Sequence, residues 1–185
     1  EADGGAAIIK REPRRLDLSA IAKGLGVDQI YTLLDDQGYA NFLVEIGGEV
    51  RVKGDKDGLG WKIAVEKPIK GERAVEQVLS LKNVALATSG DYRNYREIDG
   101  VAYSHTIDPS TGRPVTHQLA SVTVADSECA MADGWATTLL VLGPDKGYEL
   151  AVSRKIPAMF IERSGDTFIV KQTPRFERLL AGEVE

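Results

Sequence analysis

Asp133 and Thr137 stand four positions apart in the run SECAMADGWATTLLVLG, which puts them on one face of a helix about a turn apart. A carboxylate and a hydroxyl oxygen so arranged suit a hard cation such as Mg²⁺, which takes oxygen ligands and completes its shell with phosphate and water. The plainer reading of such a pair is a solvated Asp and a Thr bonded back to its own helix. Two features weigh against it. Ala130, Ala132, Gly134 and Ala136 are small and leave room for a ligand. The helix is also apolar around much of its circumference, where a charge needs a partner.

Other interruptions in regular segments carry a similar choice of readings. In ATSGDYRNY a strand runs into Thr88-Ser89-Gly90, a break that exposes N–H groups and hydroxyls able to hold phosphate, or simply a capped turn. The segment SHTIDPSTGRPV carries His105, one of only two histidines, as an acid/base candidate or a structural residue at a strand end. Lys23 lies in the first turns of the apolar helix LDLSAIAKGLG, where its cation either meets an anionic ligand or snorkels to solvent. Gly47-Gly48 in VEIGGEV is a turn that also admits close approach to the backbone. The sequence has no CxxC and no histidine pair at ligand spacing, so no zinc site is expected. GxSxG, Walker and GxGxxG patterns are absent too.

These residues need elements to hold them. Ser19 is expected to cap a helix over AIAKGLGVDQIYTLLDDQ, with Gly38 just past its end. The period then changes to strands: FLVEI and EVRVKG about Gly47-Gly48, then WKIAVEKP, VLSLKNVALAT, YREI and VAYSHTI about Asp99-Gly100, then LASVTVA. Asp126 or Ser127 is expected to cap the Asp133 helix, which Gly143-Pro144 ends; a helix over DKGYELAVSRK and the strands AMFIER and TFIVKQ follow. Few helices and many hairpins predict an α+β fold with mainly antiparallel strands over residues 1–185 as one domain.

Composition narrows the function classes. At 43% hydrophobic and 28% charged residues the chain is ordinary for a globular protein. Its net charge of −5, with basic residues dispersed among acidic ones, argues against nucleic acid as a partner. No apolar run is long enough for a transmembrane segment. Cys129, the single cysteine, reads as a small buried hydrophobe.

Taken in order, LDLSAIAKGLGVD, FLVEIGGEV, ATSGDYRNY, SHTIDPSTGRPV and ADGWATTLLVLG resemble the motif series of the ApbE family, the FAD:protein FMN transferases. Each motif is weak alone, and the specificity lies in their shared order and spacing, from about Arg14 to the closing TPRFE. The resemblance implies Mg²⁺ held by the Ala20 carbonyl with Asp133 and Thr137. It also implies an FAD site lined by Lys23, Gly47, Gly48, Ser89 and Thr106, and a catalytic part for His105 and Asp133. The implied fold is T-fold-like, with antiparallel sheets backed by helices and FAD in a tunnel-like cleft. The implied reaction moves FMN from FAD to a Thr or Ser hydroxyl of an acceptor protein and releases AMP. An Mg²⁺-dependent FAD pyrophosphatase would use the same residues; a non-catalytic flavin-binding protein is the other alternative, and the presence of Asp133, Thr137 and His105 argues against it. Family members carry a substantial part before the Asp-Leu-x-x-Ile-Ala-Lys-Gly element, contributing flavin-ring contacts. The sequence opens EADGG without Met, so that part is expected to be cut off, to be supplied by another chain, or to be missing from a protein of reduced function. Relatives are exported and lipid-anchored or cytoplasmic, which makes the periplasmic cell envelope the first expectation for compartment and the cytoplasm the alternative.

Overall fold

In chain order, α1 (Ser19–Asp36) leads into a hairpin of β1 (Phe42–Ile46) and β2 (Glu49–Lys53), turned at Gly47 and Gly48. Both glycines have positive φ, 62° and 103°, as a two-residue hairpin turn demands. A second hairpin, β3 (Trp61–Glu66) with β4 (Val75–Leu81), precedes β5 (Val84–Gly90). VLSLKNVALAT is therefore divided between two sheets, at a bend where Asn83 takes a φ of 50°. Small antiparallel pairs follow: β6 (Tyr95–Ile98) with β7 (Val101–Ser104), and β8 (Ile107–Asp108) with β9 (Arg113–Pro114). The chain closes with β10 (Leu119–Asp126), α2 (Cys129–Leu142), α3 (Pro144–Ser153), β11 (Ala158–Ser164), β12 (Thr167–Gln172) and α4 (Pro174–Leu180). This computed structural model describes residues 8–9, 11–13, 16–69, 71, 73–90, 95–98, 101–104 and 106–182, with 95–98 and 101–104 as backbone only. The Asp99-Gly100 turn lies outside the described residues.

A six-stranded sheet in the order β1-β2-β5-β10-β11-β12, antiparallel throughout, organises the described chain. The α+β expectation is met. Strand alternation sorts β2 onto two faces. Val50 and Val52 join Leu86, Met159 and Ile161 beneath Val65, Leu79 and Leu81 of the β3–β4 hairpin and Phe176 of α4. On the opposite face, Glu49, Arg51 and Lys53 pair in turn with Lys23, Asp28 and Asp35 of α1. That ladder lays α1 along β2. Beside it, α2 packs Ala132, Ala136, Leu139 and Leu140 against Ala87, Leu119, Val122 and Val124. Leu119 and Val122 share that face because the β10–β11 register shifts between Leu119 and Ser121.

The helix ends correct some of the sequence expectations. Gly38 does follow α1 at φ 83°, with its N–H on the Asp35 carbonyl and that of Tyr39 on Leu34, a Schellman closure. Ser19, however, is the first helical residue and not the cap. Its N–H is taken by Asp17 Oδ1 at 2.8 Å. Neither Asp126 nor Ser127 caps α2: Asp126 Oδ1 accepts from Ser127 Oγ and the Glu128 N–H instead. The first free N–H groups of α2, on Cys129 and Ala130, donate to Oδ1 and Oδ2 of Asp28, each at 2.9 Å. The cap comes from α1. Gly143 ends α2 as expected, and α3 opens with Pro144. Helix α4 has no counterpart among the sequence expectations; Thr173 caps it by accepting from the Phe176 N–H.

Candidate functional site

The site grows from the crossing of α1 over α2. A methyl group on Gly24 would lie 2.3 Å from the Cys129 carbonyl oxygen, so only glycine lets the helix backbones approach this closely. One turn along α2, Gly134 faces Ile21, whose Cγ2 would be 3.0 Å from an added Cβ. The close approach brings the Gly24 N–H to Asp133 Oδ2 at 3.0 Å. In α1 that N–H is also the regular helical partner of the Ala20 carbonyl, four residues back.

Asp133 is 3% exposed, and burial raises its pKa against the lowering effects of the Gly24 N–H and the Lys23 charge. Next to it, Glu49 at the start of β2 is 1% exposed. Its Oε1 accepts from Lys23 Nζ at 2.5 Å, and Oε2 has no hydrogen-bond partner among the described residues. Burial again raises the Glu49 pKa, opposed by Lys23 and reinforced by the nearby Asp133 charge. Gly47 completes this side: a Cβ there would lie 3.3 Å from Lys23 Cδ and 3.7 Å from Glu49 Oε2. The Gly48 N–H turns outward to Glu45 Oε1 at 3.2 Å.

Along the same face of α2, Thr137 Oγ1 meets Ser89 Oγ of β5 at 3.0 Å. It is the neighbouring Thr138 that bonds back to the helix, to the Gly134 carbonyl. Ser89 points toward α2 because, two residues on from Ala87, it shares the strand face that packs under that helix. Thr106 is half-buried before β8, where its carbonyl accepts the Val115 N–H. His105 lies outside the described residues. In the adjoining loop, the Ser110 hydroxyl and N–H hold the Asp108 carboxyl below its ordinary range.

The structure thus joins Ala20, Lys23, Gly47, Asp133, Ser89 and Thr137 around one helix crossing. It adds residues that the sequence reading did not single out. Glu49 had a faint signal: charges at 49, 51 and 53 alternate along one strand face opposite a helix bearing Lys23, Asp28 and Asp35. Gly24 had another, since a mid-helix glycine costs about 1 kcal/mol against Ala and usually marks close packing.

Among the described residues no group of three or more His, Cys, Asp or Glu side chains is arranged for a metal ion. A hard cation needs no such group. The candidate donors are all oxygens: the Ala20 carbonyl, the Asp133 carboxylate and the Thr137 hydroxyl. The two buried carboxylates outnumber their one ammonium partner, Lys23, leaving negative charge that a divalent ion would balance. Cys129 feels the same field, its thiol pushed up to about 12 by burial first and then by Asp28, Glu49 and Asp133. It is a buried, protonated packing group, as expected.

Comparison with known proteins gives this arrangement its relatives. The FAD:protein FMN transferase of Vibrio cholerae serotype O1 is 48% identical over 167 residues, which cover 90% of this chain and 50% of that protein. Its Haemophilus influenzae counterpart is 47% identical over 166 residues, covering 89% and 48%. Among solved structures, the apo form of the Pseudomonas stutzeri flavinyl transferase ApbE matches with a TM-score of 0.79 at 41% identity, over 92% of this chain and 52% of that one. The ApbE protein of Thermotoga maritima matches at 0.80 and 31% identity, over 90% and 53%. The chain spans about half the length of the curated relatives it matches. The model of the ApbE family covers residues 2–160, most of the chain, and on that match the chain belongs to the ApbE family.

Proposed function

We propose that this chain is the part of an FAD:protein FMN transferase that holds the FAD diphosphate and carries FMN to a Thr or Ser hydroxyl of an acceptor protein, releasing AMP. The observation that carries the reading is the meeting of two buried carboxylates, a lysine and the Ser89–Thr137 hydroxyl pair at one helix crossing. The family's named transferases support it. In the reaction, the acceptor oxygen bonds to the FMN phosphorus, the bond from that phosphorus to the bridging oxygen breaks, and the acceptor proton passes to a base.

The chain's residues divide this work. Ala20, Asp133 and Thr137 would hold Mg²⁺, which supplies neutralisation of the diphosphate charge when bound. Gly24 orients Asp133 by donating its N–H to one carboxylate oxygen. Ser89 fixes the Thr137 hydroxyl through their mutual hydrogen bond. Lys23 presents the ammonium that reads phosphate, and the Gly47-Gly48 turn admits the ligand close to the backbone. His105 is the candidate acceptor of the hydroxyl proton.

Mass spectrometry of a peptide such as Asp-Gly-Ala-Thr-Gly-Ala-Thr, incubated with the protein, FAD and Mg²⁺, tests the proposal. A Thr-linked FMN adduct together with AMP is the expected product. Free FMN and AMP with unmodified peptide would make water the acceptor and the protein a pyrophosphatase. Bound but intact FAD would make it a flavin carrier.

A further inference from the structure

The proposed mechanism leaves Glu49 without a task, and its environment makes that conspicuous. Its side chain is almost wholly buried beside a second buried carboxylate, Asp133. A buried charge with a neutral substitute of similar shape available is weakly justified by stability alone. Lys23 offers the reason for it. The lysine side chain is 46% exposed, and such a flexible stem would otherwise spread its ammonium over many rotamers. Here the stem passes beneath Gly47, where a methyl group would press on Cδ, and the Nζ ends on Glu49 Oε1. The strand supplies an anchor and the turn supplies a groove.

The geometry points to Glu49 as a positioning residue that fixes the Lys23 ammonium at the Asp133 site, so that the charge meeting the ligand's phosphate is preorganised. This rests on the reading of Lys23 as a phosphate contact. Glu49 touches no reacting atom. It acts through the lysine, and β2 holds it in place because its neighbours Val50 and Val52 are locked in the core on the opposite face.

Two measurements on the purified protein and its Glu49→Gln, Glu49→Asp, Lys23→Met and Glu49→Gln/Lys23→Met variants test the assignment. Thermal unfolding establishes that each is folded, and Glu49→Asp keeps the charge should Glu49→Gln fail to fold. The first measurement needs no flavin: the acetylation rate of Lys23 under limiting reagent, followed by mass spectrometry. Release of the ammonium should raise the rate severalfold in Glu49→Gln, and Glu49→Asp should fall between it and the parent. The second is FAD affinity by calorimetry with Mg²⁺ present. Glu49→Gln should weaken it by roughly ten- to a hundredfold, the scale of one hydrogen bond to a charged group. In the Lys23→Met background the same change should have no further effect. Unaltered labelling, or an equal loss of affinity with and without Lys23, would overturn the assignment. Wild-type FAD affinity in Lys23→Met would instead overturn Lys23 as a phosphate contact, while labelling would still decide whether Glu49 holds the amine.

Discussion

Asp133 carries a signature that ordinary surface carboxylates lack. Burial raises its folded pKa above the usual 3.8, and that of Glu49 above 4.5. Folding therefore favours the protonated forms: their contribution to stability is fully present below those ordinary values and is lost as the pH rises through the raised ones. Asp133→Asn keeps an oxygen for the Gly24 N–H and removes the charge. The variant should melt above the parent at neutral pH, and the difference should shrink toward pH 4, as calorimetry across pH would record. Mg²⁺ should stabilise the parent, by about 2.7 kcal/mol at a hundredfold excess over its dissociation constant, and leave the variant unmoved. His105 gives a second residue-scale prediction. As general base, it should cost about 10²–10⁴-fold in rate when changed to Ala, with FAD affinity nearly unchanged. Activity should rise with pH as the imidazole gives up its proton and becomes able to accept one. A flat profile with weakened FAD binding would assign it to positioning instead.

At the scale of elements, the site depends on how closely two helices cross and on what holds them there. Gly24→Ala improves helix propensity by about 1 kcal/mol, yet its methyl would meet the Cys129 carbonyl at 2.3 Å. Backbone must move, so the variant should be less stable by about 1–3 kcal/mol in urea unfolding, with Mg²⁺ binding weakened as Asp133 is displaced. Asp28 is the other fastener: one carboxylate takes two α2 N–H groups and the Arg51 guanidinium, which itself lies 3.9 Å over the Tyr31 ring. Asp28→Ala should cost about 2–4 kcal/mol, more than an ordinary cap, because it also strands a partly buried arginine. Equal stability of variant and parent in the same unfolding assay would show the capping contact to be dispensable.

At the scale of the molecule, the six-stranded sheet carries α1 and α2 on one face, and the candidate groups gather where those helices meet its β2 and β5 strands. The groups joined there are charged side chains, hydroxyls and turn backbone; none is an aromatic platform for a flavin ring. FAD should therefore bind this chain much more tightly than riboflavin does, and Mg²⁺ should widen the gap. Equal affinities in a calorimetric titration would place recognition on the ring and away from this crossing.

Local pattern in the sequence sufficed for the hairpin at Gly47-Gly48, the helix ends at Gly38 and Gly143, and the shared face of Asp133 and Thr137, because each depends on spacing within a few residues. It did not suffice for the partners. Ser19, Asp126 and Ser127 had the right chemistry to cap helices, but capping is competitive, and Asp28 reached α2 from 101 positions away. Nor could spacing reveal that Glu49 is buried, since an acid after a Gly-Gly turn is usually solvated. Those outcomes follow from sheet order. With β2 beside β5 and β5 beside β10, the helix before β1 and the helix after β10 are forced together, and only then do Gly24, Glu49 and Asp133 become neighbours.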